Sequence, residues 1–122
     1  YWMVNAWQVA IEFARAQTYP SYDIIEQLGS LVHPTANPHG YRMHGVFVGD
    51  RRCPDWHEVP RLMKQLIQVL PDIEPWEAYK EFEEIHPFAD GNGRMGKIIF
   101  NWLSGTLDDP IMPPNFFGCS NP

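Results

Sequence analysis

The segment HPFADGNGRMGK, residues 86–97, determines how the rest of the chain is interpreted. It places a base, an acid, two glycines around an amide and two cations in one short run. A structural core does not need that mixture, whereas chemistry on an anion such as phosphate does. The segment therefore predicts a phosphate-handling site at a loop that leads into a helix.

Each part of this segment suits one task. His86 is its only side chain that takes a proton near neutral pH. Asp90 offers the hard oxygen that Mg²⁺ prefers. The backbone N–H groups of 91–93 are able to turn inward as an anion nest at a helix start. Arg94 and Lys97 are three positions apart, so on a helix both reach the same phosphates.

Simpler interpretations exist for the single pieces. Gly-Asn-Gly alone is usually a turn, and a histidine before proline is usually a loop residue. Gly91, Gly96 and Lys97 also fit the start of the pattern G-x-x-x-x-G-K-[ST]. Ile98 follows, however, and has no hydroxyl for Mg²⁺, and the residues before His86 are typical of a helix rather than a buried strand. The phosphate-binding P-loop is therefore rejected.

The whole segment resembles the signature of the Fic family, H-[PFx]-F-x-[DE]-G-N-G-R-x-x-R. Only the last position departs, where Lys97 replaces arginine. Tyr41-Arg42 followed by residues 46–49 is similar to the flap hairpin of that family, and Val59–Leu70 resembles the helix after it. The resemblance covers about residues 21–105.

The resemblance implies a small all-α helical bundle with one short β-hairpin flap. We expect a single domain over residues 1–122, with its core at about 21–105 and an irregular tail at 106–122. The implied activity is that of a nucleotidyltransferase. It moves AMP from ATP to a Ser, Thr or Tyr hydroxyl of a target protein, requires Mg²⁺, and releases pyrophosphate.

Carried over to this chain, the family pattern makes His86 the general base for the target hydroxyl. Asp90 becomes the ligand of Mg²⁺ between the phosphates, and Phe88 becomes a structural anchor of the loop. These roles agree with the chemistry of the three side chains.

The same resemblance implies a nucleotide site at the start of the helix. The amides of Gly91, Asn92 and Gly93 would cradle the α- and β-phosphates, with the Asn92 side chain adding contacts. Arg94 would clamp the distal phosphates. Lys97 keeps the positive charge but loses the planar fork of the family arginine, which leaves its part in β-phosphate binding open.

The predicted flap consists of Val46, Phe47 and Val48. An exposed hairpin edge is able to pair with an extended segment of a target protein by strand addition. The simpler interpretation is a surface β-turn lying on the helices, because one short hairpin is not a stable sheet by itself. The downstream signature favours the flap.

Other activities stay open at this stage. A Fic-like transferase is able to move phosphate, another nucleotide or phosphocholine, and a non-catalytic module would bind nucleotide and recruit a partner. Many family members carry an inhibitory helix with the pattern Ser/Thr-x-x-x-Glu-Gly/Asn. Ser21 to Glu26 is one residue too long to match it. Control therefore comes from a separate inhibitory protein, from a segment outside these residues, or is absent.

Composition limits the partners. A net charge of −6 and a pI near 5.2 disfavour nucleic acid and membrane surfaces. The sequence has no 18-residue apolar run and no signal-peptide pattern. Cys53 and Cys119 are expected to be unpaired, because two cysteines in an acidic chain fit a reducing compartment, although a disulfide between them is possible without being implied; the expected location is the cytoplasm. The remaining histidines are interpreted as solvated or locally bonded and not as ligands: His33, His39, His44 and His57.

Apolar periodicity and cap signals predict the remaining elements. The pattern indicates helices at Trp2–Ala16, from the cap Ser21 to about Leu31, at Val59–Leu70, at Pro75–Ile85 and from about Gly93 to Gly105. Tyr41–Val48 is predicted to be extended. In the tail, Phe116 and Phe117 are expected to dock onto the core.

Overall fold

The computed structural model describes residues 2–114, 116, 118 and 119. Within them the chain is all-α with one antiparallel hairpin, which confirms the predicted fold class. The elements are α1 Trp2–Arg15, α2 Tyr22–Val32, β1 Phe47–Val48, β2 Arg51–Arg52, α3 Val59–Val69, α4 Pro75–Ile85 and α5 Asn92–Ser104. Short 3₁₀ turns at Trp56–Glu58 and Leu70–Asp72 precede and follow α3.

Local signals set the helix ends. The Ser21 hydroxyl accepts a hydrogen bond from the Ile24 N–H at 3.2 Å and caps α2. Pro75 occupies the first turn of α4, where its missing N–H costs no helical bond. Gly105 ends α5 with a φ of +73°, a conformation that favours glycine.

Helix α5 lies at the centre of the bundle and packs on α1, α2 and α4. Its apolar face is buried, with Met95 and Ile98 fully inaccessible to solvent. Phe88 is also fully buried, and its ring stacks on Tyr41 at a centroid distance of 5.1 Å. Gly29 of α2 leaves room for that ring, since a Cβ there would lie 2.1 Å from it. The packing fixes the start of the 86–97 segment against α2.

Two predicted elements differ from the structure. Of the segment Tyr41–Val48 only Phe47–Val48 is strand, because the Tyr41 and Arg42 side chains are buried and bonded to helices. The Tyr41 hydroxyl donates to the Tyr22 carbonyl at 2.7 Å. Helix α3 ends at Val69, one residue before the predicted end at Leu70. The chain then continues as a 3₁₀ turn that includes Pro71.

The sequence favoured unpaired cysteines and left a disulfide possible, and the structure shows the disulfide. Cys53 and Cys119 form a disulfide across 66 positions of sequence, a distance over which spacing carries no geometric information. The tail also contacts α4 where Phe116 meets the Trp76 ring edge to face at 6.2 Å. The expected docking of Phe117 lies outside the described residues. None of the helices in the described part of the chain is long and apolar enough to span a membrane.

Candidate active site

His86 follows the last residue of α4 and adopts a left-handed backbone conformation with a φ of +50°. Its Nδ1 lies 3.1 Å from the carbonyl oxygen of Glu83. That contact places the ring proton on Nδ1 and leaves the lone pair on Nε2. Burial lowers the pKa of His86, and the positive charge of Arg42 lowers it further. The imidazole is therefore neutral near pH 7 and able to accept a proton.

Arg42 holds this backbone conformation in place. Its guanidinium is buried and donates to four carbonyl oxygens, those of Ile85, His86, His44 and Pro54, at 2.7–3.3 Å. The carbonyls at the end of α4 lack helical partners, so these bonds satisfy groups that would otherwise be costly to bury. Arg42 thereby ties His86 to the base of the hairpin. The sequence grouped Arg42 with the flap but gave no sign of this role.

Asn37 holds the loop that follows His86. Its side-chain amide is buried and donates to the carbonyls of Gly29 and Asp90, while Oδ1 accepts from the N–H groups of Ala89 and Asp90. All four polar bonds of the amide are thus used to hold the loop on α2. Sequence reasoning missed Asn37, because an asparagine in a Pro- and Gly-containing loop predicts only a turn.

Asp90 lies at the mouth of the site with its side chain 63% exposed. One carboxylate oxygen accepts the N–H of Gly91 at 2.7 Å, and the other lies 3.5 Å from Nε2 of His33. His33 was expected to be solvated or locally bonded, and its Nδ1 does accept the Ala36 N–H at 3.2 Å. Its position beside Asp90 was not predicted.

The N-terminus of α5 lies next to Asp90. Gly91 has a φ of +82°, and a Cβ there would lie 2.9 Å from Val32. The first helical bond runs from Met95 N–H to the Gly91 carbonyl, so the N–H groups of 92–94 precede it and are oriented for an anion. At Gly93 a Cβ would meet no atom within 4 Å, so neither packing nor backbone conformation requires glycine there.

The side chain of Asn92 has a different position from the predicted one. Its amide is 3% exposed, accepts from the Phe88 N–H at 2.9 Å and donates to the Phe88 carbonyl at 2.8 Å. Both polar atoms of the side chain are therefore committed to the loop backbone. At the N-terminus of α5, the backbone N–H of Asn92 is the group best placed to meet a phosphate.

An open cavity of about 430 Å³ brings most of the predicted site residues together. It is lined by Phe47, His86, Ala89, Asp90, Gly91, Asn92, Gly93, Arg94 and Lys97. The flap contributes Phe47, whose side chain is 60% exposed, whereas Val46 and Val48 are not among the lining residues. Phe88 lies in the core below the cavity.

Glu83 is a site neighbour that the sequence analysis did not find. Its side chain is buried on α4, and Oε1 lies 3.9 Å from Nδ1 of His86. Oε2 has no hydrogen-bond partner among the described residues. Burial raises the pKa of Glu83 to about 7, against the attraction of Lys97. Gly96 leaves room for this carboxyl, because a Cβ there would lie 2.6 Å from Oε2.

The family model for the Fic/DOC family matches residues 19–104, well over half of the chain. The chain belongs to the Fic/DOC family. A probable protein adenylyltransferase of Aquifex aeolicus is 33% identical, over 52% of this chain and 23% of its own length. A Fido domain-containing protein of Dictyostelium discoideum is 32% identical, over 61% of this chain and 59% of its own length. This Fic/DOC chain thus spans less than two thirds of each of these relatives.

Proposed function

We propose that this Fic/DOC domain is a protein adenylyltransferase that moves AMP from ATP to a Ser, Thr or Tyr hydroxyl of a target protein. The observation that carries the proposal is the shared cavity, in which the neutral imidazole of His86 faces the N-terminus of α5 and two cations. The Aquifex aeolicus relative, named a probable protein adenylyltransferase, supports AMP as the group that is moved.

His86 acts as the general base in this reaction. Its Nε2 accepts the proton of the target hydroxyl while the hydroxyl oxygen bonds to the α-phosphorus. The bond between the α-phosphorus and the bridging oxygen breaks, and pyrophosphate leaves with the electron pair. The lowered pKa of His86 keeps Nε2 free to take that proton at neutral pH. The Nδ1 contact to the Glu83 carbonyl keeps the ring oriented.

The phosphates bind at the start of α5. The N–H groups of residues 92–94 and the positive end of the helix attract the α- and β-phosphates. The open space beside Gly93 supports this assignment, since it allows a ligand to approach the backbone closely. Arg94 and Lys97 add charge from the cavity wall. Asn92 contributes through its backbone.

Asp90 fits the Mg²⁺ ion that the family chemistry implies. It supplies one exposed carboxylate beside the phosphate-binding amides, the ligand set with which Mg²⁺ keeps phosphate oxygens and water in its shell. When bound there, the ion neutralises charge on the phosphates. Before binding, Asp90 instead accepts the Gly91 N–H and faces His33.

Labelled ATP tests the proposal directly. The full chain is incubated with Mg²⁺, a lysate and ATP carrying label at either the α- or the γ-phosphate. Adenylyl transfer labels protein only from the α-position, and intact mass of the modified target then gives the group that was added. Label from the γ-position indicates phosphate transfer, and ATP binding without any labelled protein indicates a non-catalytic module; either result contradicts the proposal.

The hairpin offers its outer edge to the target. Phe47 pairs with Arg52, and the neighbouring pair is bonded from Cys53 N–H to the Val46 carbonyl at 3.1 Å. Bonded and non-bonded pairs alternate in an antiparallel ladder, so the N–H and carbonyl of Phe47 point away from β2. An extended target segment is able to pair with that edge beside the cavity.

Phe47→Pro is expected to lower protein modification by about tenfold or more while ATP binding changes little. Proline removes the outward N–H of β1 and leaves the bonds within the hairpin unaffected. Arg52→Pro is the matched control, because it removes the outward N–H of the opposite edge. Initial rates of target labelling and calorimetric ATP binding measure the two effects. Equal losses in the two variants would show that the edge of β1 is not used.

Lys97→Ala is expected to lower transfer at least tenfold, the size of a charge-assisted contact worth about 1.5–3 kcal/mol. Lys97 lines the cavity on the side of the phosphates. Lys97→Arg restores the planar fork and should keep or raise the rate. Lys64→Ala, an exposed lysine of α3, serves as the control. Steady-state transfer rates of these variants test the prediction. A Lys97→Ala variant as active as the parent would place Lys97 outside the site.

A further inference from the structure

A second set of ligand atoms lies beside the proposed base. The sulfurs of Cys53 and Cys119 and one ring nitrogen of His86 all lie within 4.8 Å of one another. The two cysteines are 4% and 3% exposed, so the set is shielded from solvent. Two thiolates and an imidazole form a donor set that binds Zn²⁺ with one position left open.

The chain holds the three positions together by contacts other than the disulfide. Cys53 follows β2 and donates its N–H to Val46. The sulfur of Cys119 lies 3.7 Å from the Glu84 carbonyl on α4. Gly118 lies so close to α4 that a Cβ would be 2.3 Å from the Glu83 carbonyl oxygen. The hairpin, the tail and the end of α4 therefore meet at this point through contacts in addition to the disulfide.

We propose that the reduced chain binds a thiophilic divalent cation such as Zn²⁺ through Cys53, Cys119 and His86, and that the bound ion takes His86 away from transfer. A dithiol supplies two electrons and two protons and becomes a disulfide itself, whereas a phosphine supplies two electrons, takes oxygen from water to become the phosphine oxide, and the two protons come from that water; either way the disulfide becomes two thiols. The incoming cation displaces both protons to solvent and bonds to the thiolates. Disulfide and metal site are then alternative states of one cluster.

His86 cannot serve both roles at once. When one nitrogen of a neutral imidazole binds a cation, the other carries the ring proton, so neither has a lone pair for the target hydroxyl; coordination also fixes the direction in which the ring points. The metal site depends only on the three ligand atoms of Cys53, Cys119 and His86. Its effect on catalysis rests on the proposed function, because it requires His86 to be the base of that reaction.

Cobalt binding by the full chain tests the site. The chain is reduced with a phosphine and titrated with Co²⁺, whose visible and near-ultraviolet bands reveal thiolate coordination, and Zn²⁺ is then added to displace it. We expect one ion per reduced chain and none in the oxidised chain. Cys53→Ser, Cys119→Ser and His86→Ala should each weaken binding by about tenfold or more. His57→Ala, an exposed histidine paired with Asp55, is the control and should bind as the parent does.

Three results would overturn the metal site. They are equal binding by the oxidised and reduced chains, unchanged binding by Cys119→Ser, and a reduced chain that loses its helical circular dichroism and does not regain it with Zn²⁺. Transfer assays test separately whether the bound ion inhibits transfer. A reduced chain with a full site and an unchanged transfer rate would refute inhibition. Metal binding as expected in a chain that transfers nothing in any state would refute the proposed function and leave the site standing.

Discussion

His86→Ala is expected to lower transfer by ~10²–10⁴-fold and to leave ATP binding nearly unchanged. The expected loss follows from the position of the imidazole, which is neutral, half-buried and lines the cavity that contains the N-terminus of α5. The base acts on the target hydroxyl and not on the phosphates, so nucleotide affinity does not depend on it. Single-turnover transfer and calorimetric ATP binding measure the two quantities independently.

The backbone of His86 calls for a second variant. Its φ of +50° is strained for alanine, whereas asparagine adopts this conformation more readily. His86→Asn therefore removes the base while preserving the turn that Arg42 holds. His44→Ala removes an exposed imidazole that precedes the flap in sequence. It controls for the loss of a histidine that does not line the cavity. If His86→Asn is folded and transfers at nearly the parental rate, His86 has no part in the reaction.

Local signals in the sequence were sufficient to place several helix ends. Ser21 before an apolar face, Pro75 at a first turn and Gly105 after a last turn each set a helix end through backbone chemistry that acts within a few residues. The 86–97 segment likewise predicted a loop that leads into a helix. These features depend on neighbours in the chain, which the sequence gives directly.

The supports of the site depend instead on partners that are distant in sequence. Asn37 reaches the loop at 89–90, and Arg42 reaches the end of α4, so their roles appear only after the helices have packed. Glu83 did have a local signal. It shares the face of α4 that carries Tyr79, Phe82 and His86 at helical spacing. The neighbouring glutamates of this helix are instead typical of a solvent-exposed charged face.

Glu83→Gln is expected to make the protein more stable at pH 8. In the folded chain burial raises the pKa of Glu83 from 4.5 to about 7. The folded state then binds the proton more tightly than the unfolded state does. This group's contribution to the free energy of unfolding is therefore largest below pH 4.5. It declines as the pH rises from 4.5 to about 7, and is fully lost above that.

The size of the effect follows from the same shift. At about 1.4 kcal/mol for each pKa unit, an ionised Glu83 costs up to ~3 kcal/mol at pH 8. Glutamine has nearly the same shape and no charge to bury, so it removes that cost.

Urea unfolding at pH 5 and at pH 8 measures the prediction. The difference between parent and Glu83→Gln should be small at pH 5 and should approach ~3 kcal/mol in favour of the variant at pH 8. Taking the difference cancels the pH dependence of groups that do not interact with Glu83. Glu81→Gln, exposed on the same helix, removes a charge that is already in water and should alter stability little at either pH. A Glu83→Gln variant with the parental pH dependence would show that folding does not raise the pKa of Glu83. Its carboxylate would then be as well solvated in the bundle as in the unfolded chain.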